Sequence, residues 1–274
     1  MQIGFMQGRL SPTIDGKIQA FPVHNWKQEF VDAKQININL MEWTLDYCDL
    51  ELNPLMLESG RDEIRRLSKI YEVQIPSVTG DCFMQSPFWK IGKDAETLKQ
   101  QFMQVSIACS KLNASTLFVP LVDKGKIEND DEESILVNFM LEKSDLLSKY
   151  KVKIAIETDY TPSKVRSLIS RLPSETFGIN YDMGNSASLG YDPVEEFKEY
   201  GSRIINVHVK DRVLGGSTVA LQEGNVKFRK IFKLLKEYNY RGNLILQTAR
   251  CKSGKHVEAI HKYKELVEKF KASE

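Results

Sequence analysis

Two carboxylates, one imidazole and one amide each follow a short apolar run in the second half of the chain. They belong to Glu157, Asp182, His208 and Gln247, which lie about 25 to 40 residues apart. An isolated carboxylate beside a buried strand is costly unless it is paired or coordinated. Together the four groups suit the coordination of a divalent ion such as Mn²⁺, Mg²⁺, Co²⁺ or Zn²⁺. We therefore predict one divalent metal ion as a cofactor, bound by these residues.

A helix cap, or an ion pair with a nearby lysine or arginine, would explain any one of these four residues equally well. Four of them in the same place after four consecutive strands favour a shared site, provided that the fold brings the ends of those strands together.

The densest polar cluster surrounds His208. Residues 203–212 form a β-branched run that leads into the histidine and then into charged side chains. The run predicts a short buried strand with His208 near its C-terminal end. Lys210, Asp211 and Arg212 would stand at the mouth of that strand, where parallel α/β proteins bind ligands. The alternative is a packed histidine followed by a solvated charged turn.

The composition is that of a soluble globular protein. The chain has 274 residues, 42% hydrophobic and 27% charged, close to the ~250 residues of an α/β barrel. A net charge of +1 gives no electrostatic footprint for nucleic acid or an anionic membrane. No window approaches the ~20 apolar residues of a membrane span, and no signal peptide precedes the first strand. Four widely spaced cysteines indicate reduced thiols in a cytoplasmic protein.

Short apolar runs alternate with longer amphipathic ones along the whole chain. Strands are predicted at residues 2–6, 38–43, 73–78, 115–119, 152–156, 177–181, 204–207 and 244–246. Apolar residues at helical spacing predict helices at 26–35, 62–71, 95–112, 132–150, 163–171, 192–200, 226–238 and 256–270. The segment 79–94 is long for a connection, and it is interpreted either as a binding loop or as a structural cover of the mouth.

Eight strand–helix units without an obvious linker predict a single (β/α)8 TIM barrel of the α/β class, one domain over residues 1–274. An open doubly wound sheet is the alternative. It is less favoured, because no G-x-G-x-x-G follows a strand and no G-x-x-x-x-G-K-[ST] is present. In a closed barrel the C-terminal ends of successive strands converge on one mouth, so the four predicted ligands become neighbours.

Six segments carry a family resemblance. They are Gly4-Phe5, Leu40-Met41-Glu42-Trp43, Ile154-Ala155-Ile156-Glu157, Asn180-Tyr181-Asp182-Met183-Gly184-Asn185, Val207-His208-Val209-Lys210-Asp211 and Leu244-Ile245-Leu246-Gln247. Together they resemble the xylose isomerase-like TIM barrel superfamily, which includes D-tagatose/D-psicose 3-epimerases, hydroxypyruvate isomerases, inosose dehydratases and endonuclease IV. The ordered Glu, Asp and His with H-x-K-D is fairly specific for the superfamily, though not for one substrate.

The resemblance implies a Glu-Asp-His-Glu metal site at Glu157, Asp182, His208 and position 247. It also implies that the two glutamates act as bases on opposite faces of a sugar carbon while the metal stabilises the enediolate. Gln247 can ligate through its oxygen but cannot accept a proton, and Asn185 stands where the epimerases commonly have a histidine. Candidates for the second acid or base, which the sequence does not rank, are Glu42, Asp81, Cys82, Lys210 and Asp211.

Other side chains at predicted mouth positions are candidates for contact with a small-molecule sugar or sugar phosphate. The three arginines among them would suit a phosphate or carboxylate, or would form surface ion pairs. The two tryptophans would form an apolar wall against a sugar, or pack the barrel mouth. The predicted substrate-binding set is Arg9, Glu42, Trp43, Asp81, Trp89, Asn185, Lys210, Asp211, Arg212 and Arg250.

The sequence favours a metal-dependent sugar or sugar-phosphate isomerase or epimerase with Glu157 as its catalytic base. A dehydratase or lyase is the nearest variant, because the same enolate can expel a β-hydroxyl. Gln247 motivates a second hypothesis, a non-catalytic sugar-binding barrel. Only four histidines and a net charge of +1 disfavour an endonuclease IV-like DNA-repair enzyme. A homo-oligomer is compatible with the sequence, which specifies neither the oligomeric state, the sugar nor the native metal.

Overall fold

Eight parallel strands close into a barrel in the computed structural model, which describes residues 1–90, 92, 94–251 and 254–273. The strands are β1 (Ile3–Met6), β2 (Leu40–Thr44), β3 (Gln74–Thr79), β4 (Thr116–Leu121), β5 (Lys153–Thr158), β6 (Phe177–Asp182), β7 (Ile204–Val209) and β10 (Leu244–Leu246), while β8 (Asp211–Arg212) and β9 (Thr218–Val219) form a separate antiparallel hairpin. Neighbouring barrel strands pair in chain order, and β10 pairs with β1. The prediction of a (β/α)8 barrel is confirmed, and the open sheet is excluded.

Helices connect the barrel strands. They are α1 (Gln28–Gln35), α2 (Glu58–Tyr71), α3 (Asp81–Gln85), α4 (Ala95–Leu112), α5 (Asp130–Lys149), α6 (Pro162–Ser170), α7 (Met183–Leu189), α8 (Pro193–Tyr200), α9 (Phe228–Glu237) and α10 (His256–Ala272). Within the described ranges, none of these helices combines the length and the apolar character needed to cross a membrane.

Local sequence signals explain where several helices begin. The side chain of Asn129 accepts a hydrogen bond from the backbone N–H of Glu132 at 3.0 Å and so caps α5. Asp192 caps α8, whose first residue is Pro193. Both arrangements satisfy N–H groups that have no partner inside the helix, and proline in the first turn loses no hydrogen bond.

Three short elements differ from the sequence prediction. Segment 79–94 contains α3, α7 follows directly after β6, and the β8–β9 hairpin lies between β7 and α9. Later in segment 79–94, Phe88 and Trp89 are almost completely buried, and the ring of Phe88 packs 4.6 Å from that of Phe139. The aromatic part of this segment is therefore a structural cover, the second of the two interpretations that its length allows.

Candidate active site

Three buried side chains of ligand type meet at the C-terminal ends of β5, β6 and β7. Glu157, Asp182 and His208 are 5%, 4% and 0% exposed. One ligand atom from each lies within 4.8 Å of the others. Asp182 and His208 are direct partners in the β6–β7 register, which explains their proximity. The barrel thus brings three of the four predicted ligands together.

The two ring nitrogens of His208 have different surroundings. Nε2 lies 2.7 Å from Oε1 of Glu42, while Nδ1 is buried without a hydrogen-bond partner, 3.6 Å from Glu157 Oε2 and 3.9 Å from Asp182 Oδ2. Burial alone would lower the pKa of His208, but the charges of Glu42 and Glu157 outweigh it and raise this pKa to about 10. The site therefore favours a positive charge beside Nδ1, and its nitrogen and oxygen donors fit a divalent ion.

A buried polar network lies below this cluster. Oε2 of Glu42 accepts hydrogen bonds from Ser77 Oγ at 2.7 Å and from Asn206 Nδ2 at 3.2 Å. Asn206 also donates to Asn180 Oδ1, and Asn180 Nδ2 donates to Glu157 Oε2, both at 2.7 Å. Glu42 was expected to contact a substrate, but it is fully buried. Its position is instead that of a support for His208, the role that carboxylates often have beside metal-bound histidines.

Sequence reasoning missed the two asparagines of this network, although a signal was present. Asn180 precedes Asp182 by two residues, and Asn206 precedes His208 by two. Side chains two apart on a strand point to the same face. A polar residue at this spacing before a predicted ligand indicates a second polar layer inside the barrel.

Gln247 reaches the same site through Lys210. The ammonium group of Lys210 donates to Asp182 Oδ2 at 2.9 Å, to Gln247 Oε1 at 3.0 Å and to Asn185 Oδ1 at 3.3 Å. Gly184 makes room for this lysine, because a Cβ at that position would lie 2.7 Å from Lys210 Cγ. The amide oxygen of Gln247, its only atom suited to a metal, is therefore already a hydrogen-bond acceptor.

Asn185 connects the cluster to the rim of the barrel. Its Nδ2 donates to Glu157 Oε1 at 2.5 Å, and its Oδ1 accepts from Arg212 Nη1 at 2.8 Å. The backbone N–H of Asn185 donates to Asp182 Oδ1, so Asp182 also caps α7. Both carboxylates are thus held in orientation by residues of the strands and of α7.

A cavity of about 470 Å³ opens at this end of the barrel. Such a volume is typical of pockets for small molecules. Phe118, whose ring packs 4.9 Å from that of His208, is a lining residue that the sequence did not suggest. The predicted site residues that line the cavity are Arg9, Asp81, Glu157, Asn185, Lys210, Arg212 and Gln247.

Four other predicted substrate-binding residues have structural contacts instead. Trp43 and Trp89 are fully buried and donate to Asn53 Oδ1 and to the carbonyl of Gly125. The carboxylate of Asp211 accepts three backbone N–H groups of the following loop. Arg250 donates to the carbonyl groups of Gly8 and Ser11. Packing, the alternative for the two tryptophans, therefore applies to them, while Asp211 and Arg250 bond to the backbone of nearby loops.

The structure also ranks the candidates for a second acid or base. Cys82 is 1% exposed, and burial raises its pKa well above the usual value for a thiol. Asp81 lines the cavity and accepts a hydrogen bond from Thr79 Oγ1 at 3.0 Å. Burial, followed by the charges of Asp46 and Glu157, raises the pKa of Asp81 to about 7. A carboxyl group with this pKa can give or take a proton near neutral pH.

The chain is similar to known proteins in sequence and in structure. The sequence profile described as xylose isomerase-like TIM barrel matches residues 30–272. A probable L-ribulose-5-phosphate 3-epimerase, UlaE of Mycoplasma pneumoniae, is 23% identical over 78% of this chain and 73% of its own. An inosose dehydratase of Clostridium botulinum is 26% identical over 47% of this chain and 51% of its own. The structure of an IolI protein with a bound zinc atom superimposes with a TM-score of 0.76 at 15% identity, covering 100% of this chain and 99% of its own.

Proposed function

The chain belongs to the xylose isomerase-like TIM barrel family, and from this premise we propose that it is a metal-dependent isomerase or epimerase of a sugar or sugar phosphate. The reaction moves a proton at a carbon beside a carbonyl group. The relatives named as an L-ribulose-5-phosphate 3-epimerase and an inosose dehydratase support a carbohydrate substrate. The observation that carries the proposal is the buried cluster of Glu157, Asp182 and His208 beside a cavity of sugar size.

In this proposal Glu157, Asp182 and His208 hold one divalent ion. His208 contributes Nδ1, because Nε2 is engaged by Glu42. Gln247 is the fourth candidate ligand, through the oxygen that Lys210 contacts. When bound, the ion supplies Lewis-acid polarisation of a substrate oxygen, which weakens the C–H bond beside it.

Glu157 is the proposed base. Its two carboxylate oxygens accept amide N–H groups from Asn180 and Asn185, which fix the plane of the group at the edge of the cavity. A proton bound to carbon is far less acidic than the proton of a carboxylic acid, so a carboxylate removes it slowly. A carboxylate that is already oriented when the substrate arrives lowers this barrier.

Asp81 is the proposed second acid or base. Gln247 cannot take a proton, and Glu42 and Asp211 are fully buried in hydrogen bonds with their neighbours. An ammonium group has three N–H donors, and those of Lys210 face three acceptors. Of the five candidates this leaves Asp81, which lines the cavity with one oxygen bonded to Thr79.

A non-catalytic sugar-binding barrel is the second candidate function. It is favoured by Gln247, which provides an amide where a second carboxylate would be needed as a base. The oxygen of this amide already accepts a hydrogen bond from Lys210. Such a barrel would bind a sugar at the same metal site without exchanging any carbon-bound proton. Proton exchange therefore distinguishes the two functions.

The test is exchange of substrate protons with D2O, followed by NMR on a panel of ketoses, aldoses and their phosphates with Mn²⁺ or Co²⁺ present. We expect one carbon-bound proton of one sugar to exchange, and Glu157→Gln to slow this exchange by roughly 10²- to 10⁴-fold. Glu132→Gln is the matched control, since Glu132 is a buried glutamate of α5 that does not line the cavity. Binding of a sugar without exchange would favour the non-catalytic barrel, and full exchange by Glu157→Gln would remove Glu157 from the base role.

A further inference from the structure

The β8–β9 hairpin forms one wall of the cavity, and its shape is built into the protein. The carboxylate of Asp211 accepts the backbone N–H groups of Gln222, Gly224 and Val226 at 2.8, 3.0 and 3.1 Å. A Cβ at Gly224 would lie 2.2 Å from Asp211 Oδ1, so the loop closes tightly around this carboxylate. These bonds hold the shape of the hairpin without a ligand. The carboxylate of Asp211 is bonded to the loop backbone and forms no ion pair with Arg212.

Arg212, the second residue of β8, carries a positive charge without a negative partner. Its Nε and Nη2 donate to the carbonyl of Gly216 at 3.1 and 2.7 Å, and its Nη1 donates to Asn185. All of these acceptors are neutral, and over the ranges that the structure describes Arg212 forms no ion pair with a carboxylate. A guanidinium has five N–H groups, so two remain for a ligand.

The lysine on the same wall differs in this respect. Lys210 lies 2.9 Å from Asp182, so its charge is already balanced. Arg212 lines the cavity in a half-buried position. A guanidinium that is partly removed from water and unpaired gains considerably from an anion placed beside it.

Three residues with hydroxyl groups line the same cavity as Arg212. Ser188 of α7, Ser217 and Thr218 all line it, and Thr218 is the direct partner of Arg212 in the hairpin register. The hydroxyls of Ser217 and Thr218 form no hydrogen bond with other described parts of the chain. A guanidinium with free hydroxyls beside it offers several N–H and O–H donors to one group of oxygens.

We propose that Arg212, Ser217 and Thr218, with Ser188 beside them, bind an anionic group of the substrate, a phosphate or a carboxylate. The inference rests on the proposed function and narrows it, because the substrate becomes an acidic or phosphorylated sugar rather than a neutral one. The loop after the seventh barrel strand is also where TIM barrels frequently bind phosphate groups.

A single side chain, that of Asn185, links the subsite to the proposed base. Asn185 accepts from Arg212 through Oδ1 and donates to Glu157 through Nδ2. An anionic group at Arg212 therefore fixes the distance between its own end of the substrate and the carbon that faces Glu157. Such remote binding energy is used to orient the reacting part of a substrate.

Arg9 is the competing position for an anion in the same cavity. It is 4% exposed, and its hydrogen bonds go to the carbonyl groups of Thr248 and Ile18 and to Gln19 Oε1. These contacts hold the loop after β1 in place. The hydroxyl of Thr248 beside Arg9 has no hydrogen-bond partner in the described part of the chain, but Thr248 does not line the cavity as Ser217 and Thr218 do. The test therefore compares both arginines.

The first experiment titrates the protein with inorganic phosphate, as purified and after removal of metal with EDTA, and measures affinity by calorimetry. We expect Arg212→Gln to weaken phosphate binding by roughly 10- to 100-fold, the worth of a charged hydrogen bond. Thr218→Val, which keeps the charge and the shape, should weaken it severalfold. Arg229→Gln, an exposed arginine of α9, is the control and should not change it. A normal melting temperature shows that each variant is folded.

Equal phosphate binding by Arg212→Gln and the unmodified protein would overturn the subsite. A protein that binds neither inorganic phosphate nor D-glucuronate would overturn it as well. The same conclusion follows if Arg9→Gln abolishes binding while Arg212→Gln and Thr218→Val retain it. If Arg212→Gln fails to fold, Thr218→Val decides, and its unchanged affinity counts against the proposal.

A second titration compares D-fructose 6-phosphate, D-glucuronate and D-fructose, which separates a phosphate from a carboxylate. Arg212→Gln should weaken the binding of whichever anionic sugar the subsite accepts and leave the affinity for D-fructose unchanged. An equal loss of affinity for D-fructose would contradict the proposal. Phosphate binding that depends on Arg212, without proton exchange on any sugar, would leave the subsite valid and reject the proposed function. Proton exchange on neutral sugars that Arg212→Gln does not change would support the proposed function and reject the subsite.

Discussion

At the scale of single residues, the two ring nitrogens of the buried His208 have separate roles in the proposed site. Glu42 engages Nε2, and this contact leaves Nδ1 facing two carboxylates. The sequence was sufficient to place His208 at the end of a strand. It could not identify Glu42 as the partner, because the two residues are 166 positions apart and meet only through the tilt and register of strands across the barrel.

Asp81 gives the proposed reaction its pH dependence. Its pKa is raised to about 7 by burial and then by Asp46 and Glu157, so it carries a proton below this pH. The proposed transfer needs the proton of Asp81, and Asp81 loses this proton as the pH rises through about 7. We expect kcat/KM to fall above about pH 7, and Asp81→Asn to remove this limb and to lower kcat by roughly 10²- to 10⁴-fold.

The measurement is the rate of proton exchange between pH 5 and pH 9 in buffers of constant ionic strength. Asp123→Asn is the matched control, since Asp123 is another carboxylate that lines the cavity and should leave the profile unchanged. A profile for Asp81→Asn with the same limb near pH 7 would show that a different group gives the proton.

At the scale of elements, the long strands and helices were predictable and the short ones were not. The ends of β5, β6 and β7 carry Glu157, Asp182 and His208, and parallel strands of a barrel bring such ends to one mouth. Helix α7 and the β8–β9 hairpin are too short to show a periodic pattern. Their positions depend on contacts such as those of Asp211, which the sequence presents only as one more charge beside His208.

The hairpin should depend on Asp211. Asp211→Ala removes the acceptor of three part-buried backbone N–H groups, and each N–H left without a partner costs free energy. We expect the free energy of unfolding to fall by about 3 kcal/mol and proteases to cleave between residues 213 and 226. Urea denaturation and limited proteolysis measure these effects.

Asp192→Ala is the control for Asp211→Ala. Asp192 accepts one backbone N–H at the exposed start of α8, so its loss should cost about 1 kcal/mol. Equal costs for the two variants would mean that the hairpin does not depend on Asp211. The proposed metal ligands lie on the barrel strands, and Asp211→Ala should therefore retain metal binding.

At the scale of the whole molecule, the charge is nearly balanced overall but not at the barrel axis. The net charge of the chain is +1, whereas Glu42, Glu157 and Asp182 are all buried around His208. Lys210 balances one of these carboxylates, and His208, whose pKa is raised to about 10, balances a second when it is protonated. Buried carboxylates without enough counter-charge destabilise a folded protein, so a cation at this place should stabilise the entire barrel.

Metal binding should therefore appear in the melting temperature. An ion that binds only the folded state stabilises it by about 2.7 kcal/mol at 100 times its Kd, which is roughly 5 to 10 °C for a chain of this size. We expect Mn²⁺ or Co²⁺ to produce such a shift by scanning fluorimetry, EDTA to reverse it, and His208→Ala/Asp182→Asn to abolish it. His261→Ala/Asp192→Asn changes the same residue types on the exposed face of α10 and at the exposed N-cap of α8 and should keep the full shift. A purified protein that contains no metal and shows no shift with either ion would reject the site, because the proposed ligands are the same carboxylates that lack counter-charge.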